Sequence, residues 1–296
     1  MPKDWELTFQ GWGKPPGKTE QDKCSNAETS VRKAISTSDS LNKRSIKVFP
    51  QGSYRHRTNV RADSDVDICI VCRDSIFFDL PDGTKPADFS ISTPAKYSYP
   101  TYKKDIENAL ISYFGSSAVK RGNKAFDIHE NTYRVDADAV ACFEYRRYHE
   151  DGTYLEGTAF LTDKGVRIIN WPEQNYQNGV IKNDATGRRF KAIVRILKRL
   201  RNEMAENGIQ EAEPVSSFLI ESLVWNVPNE GFCHETLIED VRYSLAHLFN
   251  NTRNFDDCKE WGEINELKYL FRNSQPWSLP NTNAFLDSAW NYIGLE

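Results

Sequence analysis

The chain has 296 residues, 39% of them hydrophobic, with 38 Lys and Arg set against 42 Asp and Glu, a net charge of -4 and a pI of about 5.9. That length can bury one large core or two smaller ones, and the acidic balance excludes a protein that coats nucleic acid by charge, leaving room only for a local basic groove. No apolar run is long enough to span a bilayer, and neither a signal peptide nor an internal repeat is visible, so a cytoplasmic location without membrane partners is expected.

Residues 1–18, rich in Gly, Pro, Lys and Trp, read as an extended arm. Thr19 and Asp22 open a helix whose stripe of Ala27, Val31, Ala34 and Ile35 runs to about Thr37. Next comes the stretch that organises the chain, Val48 to Cys72, VFPQGSYRHRTNVRADSDVDICIVC. A short apolar strand leads into a Gly52-Ser53 turn, and Asp65-Val66-Asp67 leads into the apolar strand ICIVC. Residues i and i+2 of a strand share a face, so Asp65 and Asp67 project side by side. Carboxylates that close repel each other unless a cation sits between them. Hard oxygen ligands that leave positions open for a substrate phosphate suit Mg²⁺. Gly52 allows backbone to approach a phosphate, and Ser53 opens a helix whose unpaired N–H groups attract anions.

A polar insert with the turn PDGTKP follows from Arg73 to Pro100, expected to be loop. The spacing of Tyr102, Ile106, Ala109, Leu110 and Tyr113 predicts a helix over Thr101 to Phe114, stopped by Gly115. Residues 118–129 and 132–145 alternate as two strands around His129-Glu130-Asn131, and Asp136 and Asp138 lie on the second. A hairpin, Tyr154 to Leu161 and Val166 to Asn170, turns at Asp163-Lys164-Gly165. Trp171-Pro172 and the polar run to Gly187 read as a hinge.

Beyond Arg188 the strand pattern ends. Arg188 to Met204 is an amphipathic helix with Phe190, Ile193, Val194, Leu197 and Leu200 inward. Its Lys191, Arg195 and Lys198 form a basic stripe, either a solvated face or a grip on a triphosphate. A helix begins after Pro214 at Val215-Ser216-Ser217-Phe218 and runs to about Val227, and helical stripes recur at 236–250, 257–273 and 283–294. Of the cysteines, Cys24, Cys69, Cys72, Cys142, Cys233 and Cys258, the pair Cys69 and Cys72 lies inside one strand and points to opposite faces, so buried thiols are expected there. Cys233-His234 with Cys258 lacks a zinc spacing, and scattered thiols fit a reducing compartment.

Gly-Ser followed about a dozen residues on by Asp-x-Asp entering an apolar strand resembles the signature of DNA polymerase beta-type nucleotidyltransferases. Within that superfamily, GSYRHRTNVRADSDVDI is similar to the bacterial cyclic-oligonucleotide synthases of anti-phage signalling, the CD-NTases, whose animal relatives are cyclic GMP-AMP synthase and oligoadenylate synthase. The resemblance covers residues 20–225 at the level of motifs. It implies a third carboxylate on a later strand, followed in relatives by two apolar residues and Pro-Ala. Asp138-Ala139-Val140-Ala141 fits with Ala for Pro. Asp136, two residues earlier on the same face, leaves the assignment open, with the fit favouring Asp138.

The resemblance further implies an α+β fold: a polymerase beta-type nucleotidyltransferase lobe with a mixed sheet over residues 1–180, a helical lobe over 181–296, and the active site in the cleft between. The helix of residues 19–37 would brace both lobes. Asp65, Asp67 and Asp138 would be the catalytic carboxylates, holding two Mg²⁺ ions (Mn²⁺ substituting). Gly52 and Ser53 would hold the β/γ end of an NTP, ATP among the substrates. Lys198 and Ser217 would reach the β- and γ-phosphates, and Phe218 would stack on a base or serve as plain core. Arg55, Arg57 and Arg61 stand as phosphate-neutralising or solvated residues, and Asn170, Asn178 and Phe218 as candidates for base choice.

The expected activity is therefore the joining of NTPs into a cyclic di- or trinucleotide second messenger, with pyrophosphate released and a downstream effector switched on. The zinc module of animal cyclic GMP-AMP synthase is not visible. The alternatives are a template-independent RNA or tRNA 3′-end nucleotidyltransferase, which the acidic balance and the lack of an RNA-binding module disfavour, and a non-enzymatic nucleotide-binding module, which three intact carboxylates disfavour.

Overall fold

The computed structural model describes residues 3–60, 65–91, 95–272 and 275–295. In chain order these form α1 (Trp5–Trp12), α2 (Lys18–Ser36), β1 (Ile46–Pro50), α3 (Gly52–His56), β2 (Val66–Asp79), α4 (Tyr99–Phe114), β3 (Val119–Arg121), β4 (Phe126–Ile128), β5 (Ala137–Tyr148), β6 (Tyr154–Leu161) and β7 (Arg167–Asn170). Helices then take over: α5 (Pro172–Ala185), α6 (Arg189–Glu206), α7 (Ser217–Trp225), α8 (Leu237–Asn251), α9 (Phe255–Cys258) and α10 (Leu279–Ile293). The architecture is mixed α+β, with a mixed sheet and a helical C-terminal region. The chain divides into two compact units, one of residues 17–55 and 61–173, the other of residues 1–16, 56–60 and 174–296.

In the first unit the described strands form one sheet in the order β1-β2-β5-β4-β3, with β6 on β5 and β7 on β6. Only β2 and β5 pair parallel; the other pairs are antiparallel. Residues 137–139 of β5 pair with β4, and residues 143–148 pair with β6. β2 and β5 are buried on both faces over most of their length, which is why each reads as a near-continuous apolar run. The stripe of α2 (Ala27, Val31, Ala34, Ile35) and that of α4 (Tyr102, Ile106, Ala109, Leu110) are buried in the same core. Each fully buried aliphatic side chain there contributes roughly 1.5–3 kcal/mol.

In the second unit Phe190, Ile193, Val194, Leu197 and Leu200 of α6 form the centre of a core shared with α7, α8 and α10. These helices are closed by local caps. Ser216 accepts from Leu219 N–H at 3.1 Å, Thr236 and Glu239 make a capping box, and Ser278 accepts from Asn281 N–H at 3.3 Å.

Several expectations need correction. The arm is not wholly extended: Asp4 caps α1, and Phe9 on it is fully buried. The insert after Cys72 is not loop throughout, because β2 continues to Asp79 beyond a register shift between Cys72 and Ile76. The single strand over 118–129 is a hairpin of β3 and β4, closed by Gly122 N–H to Ala125 O at 2.8 Å. The hinge contains α5, with Pro172 at its first position, where a missing N–H costs nothing. Residues 259–272 are not helical. Gly262 bridges Tyr269, Leu270 N–H reaches Trp261 O, and Glu266 turns the chain with a φ of 57°. Cys69 and Cys72 are buried free thiols, as the strand pattern implied, and the remaining cysteines are also free. No described helix is long and apolar enough to cross a membrane.

Candidate active site

At the end of β1, Gln51 N–H donates to Asp67 O at 2.8 Å, tying the turn to the first residues of β2. Gly52 follows with φ 62° and opens the five-residue α3, in which Ser53 is second. A Cβ on Gly52 would lie 3.1 Å from Asp67 Cγ and would overlap the neighbouring carboxylate oxygen. The left-handed backbone favours glycine here, and any side chain would also make the Asp67 carboxylate shift.

The parallel register of β2 and β5 sets Asp67 opposite Asp138, and the antiparallel register of β4 and β5 sets Asp127 opposite the same Asp138. Three aspartates thus form one row across three adjacent strands, which stand about 4.8 Å apart. All three are half-buried, and Asp65 lies exposed just before β2. Burial, then the charges of Asp65 and Asp127, then a hydrogen bond with Asp127 push the Asp138 carboxyl up to about 6. Like charges directly opposite one another are destabilising, so the row costs folding free energy as it stands. Asp127 was absent from the sequence reading. Its one signal was a polar residue between the buried Phe126 and Ile128, in a strand of three residues.

The alternative third carboxylate has other work. Asp136 lies outside β5 and accepts Glu130 N–H at 2.5 Å, with His129 Nδ1 at 4.0 Å. It closes the turn before the strand.

Among the described residues, no three His, Cys, Asp or Glu side chains converge on a ready-made ion cage. The donor chemistry nonetheless fits Mg²⁺. That ion takes one or two carboxylates and completes its shell with water and substrate phosphate, and a cation would relieve the repulsion that raises Asp138.

The helical unit places its candidates differently. Lys198 is 1% exposed, and its ammonium is bonded to Glu221 and donates to Thr58 O at 3.2 Å. Thr58 Oγ1 donates to Glu221 Oε1 at 2.7 Å, and His56 Nδ1 lies 3.3 Å from Glu221 Oε2. Burial alone would raise the Glu221 carboxyl, but Lys198 and His56 hold it well below the usual carboxylate range. Arg195 is buried too, donating to Gly13 O at 2.8 Å and Arg57 O at 2.6 Å. Two of the three cations of the α6 stripe, Lys198 and Arg195, are thus bonded to partners within this unit, and the third, Lys191, lies half-buried with its ammonium 6.0 Å from the Tyr176 ring centroid.

Ser217, next to the capping Ser216, accepts from Arg201 Nη2 at 3.0 Å, and Phe218 lies half-buried with its ring 6.2 Å from Trp277. Asn178 donates to Ile264 O at 2.7 Å, Asn170 ends β7, and Arg55 donates to Glu173 at 2.5 Å. Arg61 lies outside the described residues.

Residues 177–294 match the family model of the cGAS/DncV-like nucleotidyltransferase C-terminal helical domain. The chain is 45% identical over 294 residues to the cyclic dipyrimidine nucleotide synthase CdnE of Cecembia lonarensis, covering 99% of each chain. It is 46% identical over 294 residues to the enzyme of the same name from Legionella pneumophila, covering 98% of each. The solved structure of Elizabethkingia meningoseptica CdnE cyclic dinucleotide synthase with GTP and Apcpp matches with a TM-score of 0.81 at 33% identity, covering 98% of both chains. These relatives are cyclic nucleotide synthases, which leaves the RNA-tailing reading without support.

Proposed function

The chain belongs to the CD-NTases, the cGAS/DncV-like nucleotidyltransferases that make cyclic nucleotides, and from that footing we propose that it joins two pyrimidine NTPs into a cyclic dinucleotide, with release of pyrophosphate. Its product would switch on an effector in anti-phage defence in the cytoplasm. The observation that carries the reading is the row of Asp67 and Asp138 on neighbouring parallel strands, with Gly52 closed against the Asp67 carboxylate. Pyrimidines take precedence over the ATP expected from the sequence, because the relatives at 45–46% identity are named for dipyrimidine products and a dipurine synthase stands at 34%.

Asp65, Asp67 and Asp138 would hold two Mg²⁺ ions, with Mn²⁺ substituting. When bound, they supply charge neutralisation at the phosphates and a lowered pKa for the attacking ribose hydroxyl. Asp138 lies beside the other carboxylates and could also accept that hydroxyl proton, with the bound ions doing most of the activation. Ser53 and the turn backbone at Gly52 bind the β/γ end of the donor. The ribose oxygen forms its bond to the α-phosphorus as the bond to the bridging oxygen breaks and pyrophosphate leaves. The linear product then reverses in the site, and a second transfer closes the ring. In the helical unit Ser217 and Phe218 are the candidates for phosphate and base contact. The Lys198 ammonium is bonded to Glu221 and has little charge to offer a phosphate.

The test is incubation of the purified protein with all four labelled NTPs and Mg²⁺ or Mn²⁺, then phosphatase and mass spectrometry. A phosphatase-resistant cyclic dipyrimidine, absent from an Asp65→Ala, Asp67→Ala variant, is the expected outcome. Products of equal yield in that variant would sink the site, and a purine-only ring would sink the base assignment.

A further inference from the structure

Arg57 directly follows α3, four residues after Ser53, or about 6 Å along the chain at the helical rise. Its backbone is left-handed, with φ 57°, a conformation that costs free energy in any residue but glycine. The residues on either side are fastened inward. His56 Nδ1 lies 3.3 Å from Glu221 Oε2, Thr58 Oγ1 donates to Glu221 Oε1 at 2.7 Å, and Lys198 donates to Thr58 O at 3.2 Å. The Arg57 carbonyl itself accepts from Arg195 Nη1 at 2.6 Å. Buried polar groups of α6 and α7 thus hold this one strained turn, and the side chain that the turn leaves exposed is that of Arg57.

Among the described residues the Arg57 guanidinium has no hydrogen bond and no ion pair. The same holds for the ammonium of Lys191, half-buried on α6 beside the Tyr176 ring. Arg195 brings the two residues together, because it bonds the Arg57 carbonyl and stands one helical turn after Lys191, on the same face. The electrostatics agree with that placement. Burial, then the charge of Arg195, then that of Arg57 push the Lys191 ammonium down, while Glu221 and Asp184 act the other way. Glu221 is already bonded to Lys198, His56 and Thr58, and Asp184 is exposed near the end of α5. Two neighbouring cations are left without an anion of their own, and a phosphate is the group that Arg and Lys together bind best.

We propose that Arg57 and Lys191 form a phosphate subsite for the terminal phosphates of a nucleoside triphosphate, with the strained turn serving to present the Arg57 guanidinium. The subsite rests on the nucleotide reading made above and deepens it. Ser53, four residues earlier in the chain, favours the triphosphate as the source of the phosphate, and the net charge of -4 disfavours a nucleic acid. The strain at Arg57 then has a use, and the buried network of Lys198, Glu221 and Arg195 serves the nucleotide by holding the turn and not by touching it.

The experiment compares the full-length wild type with Arg57→Gly, Arg57→Lys and Lys191→Gln. Arg57→Gly removes the guanidinium and relieves the backbone, so its thermal midpoint should be at or above that of wild type. Calorimetric titrations in Mg²⁺ use inorganic tripolyphosphate, a non-hydrolysable UTP analogue, UMP and a single-stranded oligonucleotide. Arg57→Gly and Lys191→Gln should each weaken binding of tripolyphosphate and of the UTP analogue by roughly 10- to 100-fold, and of UMP by less than about 3-fold. Arg57→Lys should keep most of the affinity. Unchanged triphosphate affinity in either neutral variant would overturn the proposal, as would an equal loss for UMP. A loss confined to the oligonucleotide would overturn it in favour of a nucleic acid. If wild type makes no cyclic product but its tripolyphosphate binding depends on Arg57 and Lys191, the subsite stands and the proposed function fails. Wild type that binds neither tripolyphosphate nor the UTP analogue would overturn the subsite.

Discussion

In the sheet unit, Asp67, Asp138 and Asp127 stand half-buried in a row of like charge; in the helical unit, Lys198 and Glu221 are buried almost completely and bonded to each other. Both arrangements cost desolvation; the second sets opposite charges against each other, whereas the first sets like charges side by side. The row of like charge is where an outside cation has something to neutralise. The compensated pair joins α6, α7 and the segment around Thr58 into one core, and it has little charge left for a ligand. Residue type alone therefore misleads. A lysine on an amphipathic helix resembles a phosphate grip until its partner is seen.

The largest effect that would break this contrast is on activity. Asp67→Ala should reduce cyclic product formation on the order of a thousandfold or more while leaving the thermal midpoint at or above that of wild type, measured by product assay and calorimetry. A large fall in stability instead would make Asp67 structural.

The helical pair should behave in the opposite way. Lys198→Met leaves Glu221 buried without its cation and should cost about 3–5 kcal/mol in denaturant unfolding. The double change Lys198→Met, Glu221→Leu should cost much less than the sum of the two single changes. Additive losses, or a stable Lys198→Met protein with raised NTP KM, would return Lys198 to the substrate.

A smaller loss is expected from Gly52→Ala. The left-handed backbone at φ 62° costs a non-glycine residue roughly 1–2 kcal/mol, and the new methyl must displace the Asp67 carboxylate. Stability and kcat should fall together, whereas Gly179→Ala, inside α5 with no neighbour near its Cβ, should not reduce stability.

The smallest expected effect is one of pH. Asp138 keeps its proton up to about pH 6 in the folded protein and loses it near 3.9 when unfolded. Between those values the folded state binds more protons, so this residue makes stability fall as pH rises. Asp138→Asn removes that penalty. Its thermal midpoint should exceed that of wild type by about 2–4 °C above pH 6, and the gain should vanish below about pH 4, in metal-free scans. A constant difference across the range would mean that Asp138 is not strained by its neighbours.

Much of this was readable from local pattern. The stripes of α2, α4 and α6 and the hairpin of β6 and β7 follow from periods of 3.6 and 2 within a single segment. The irregular segments were less readable. Trp5, Phe9 and Trp12 mark a helix of only two turns between Gly- and Pro-rich flanks. The apolar residues of 259–272 mimic helical spacing around a tight turn at Glu266.

The sequence by itself determined that Asp67 enters an apolar strand, that Gly52 and Ser53 follow a short strand, and that the chain passes from strands to helices near residue 171, because these depend on neighbours a few positions apart; Asp65, expected on the same strand face as Asp67, lies just before β2. The tertiary structure alone decided that Asp127 completes a row with Asp138 and Asp67, and that Lys198 is satisfied by Glu221 and by Thr58, 140 residues away. Strand order and register are set by the burial of whole faces against one another, and no local spacing records which segment will lie alongside which.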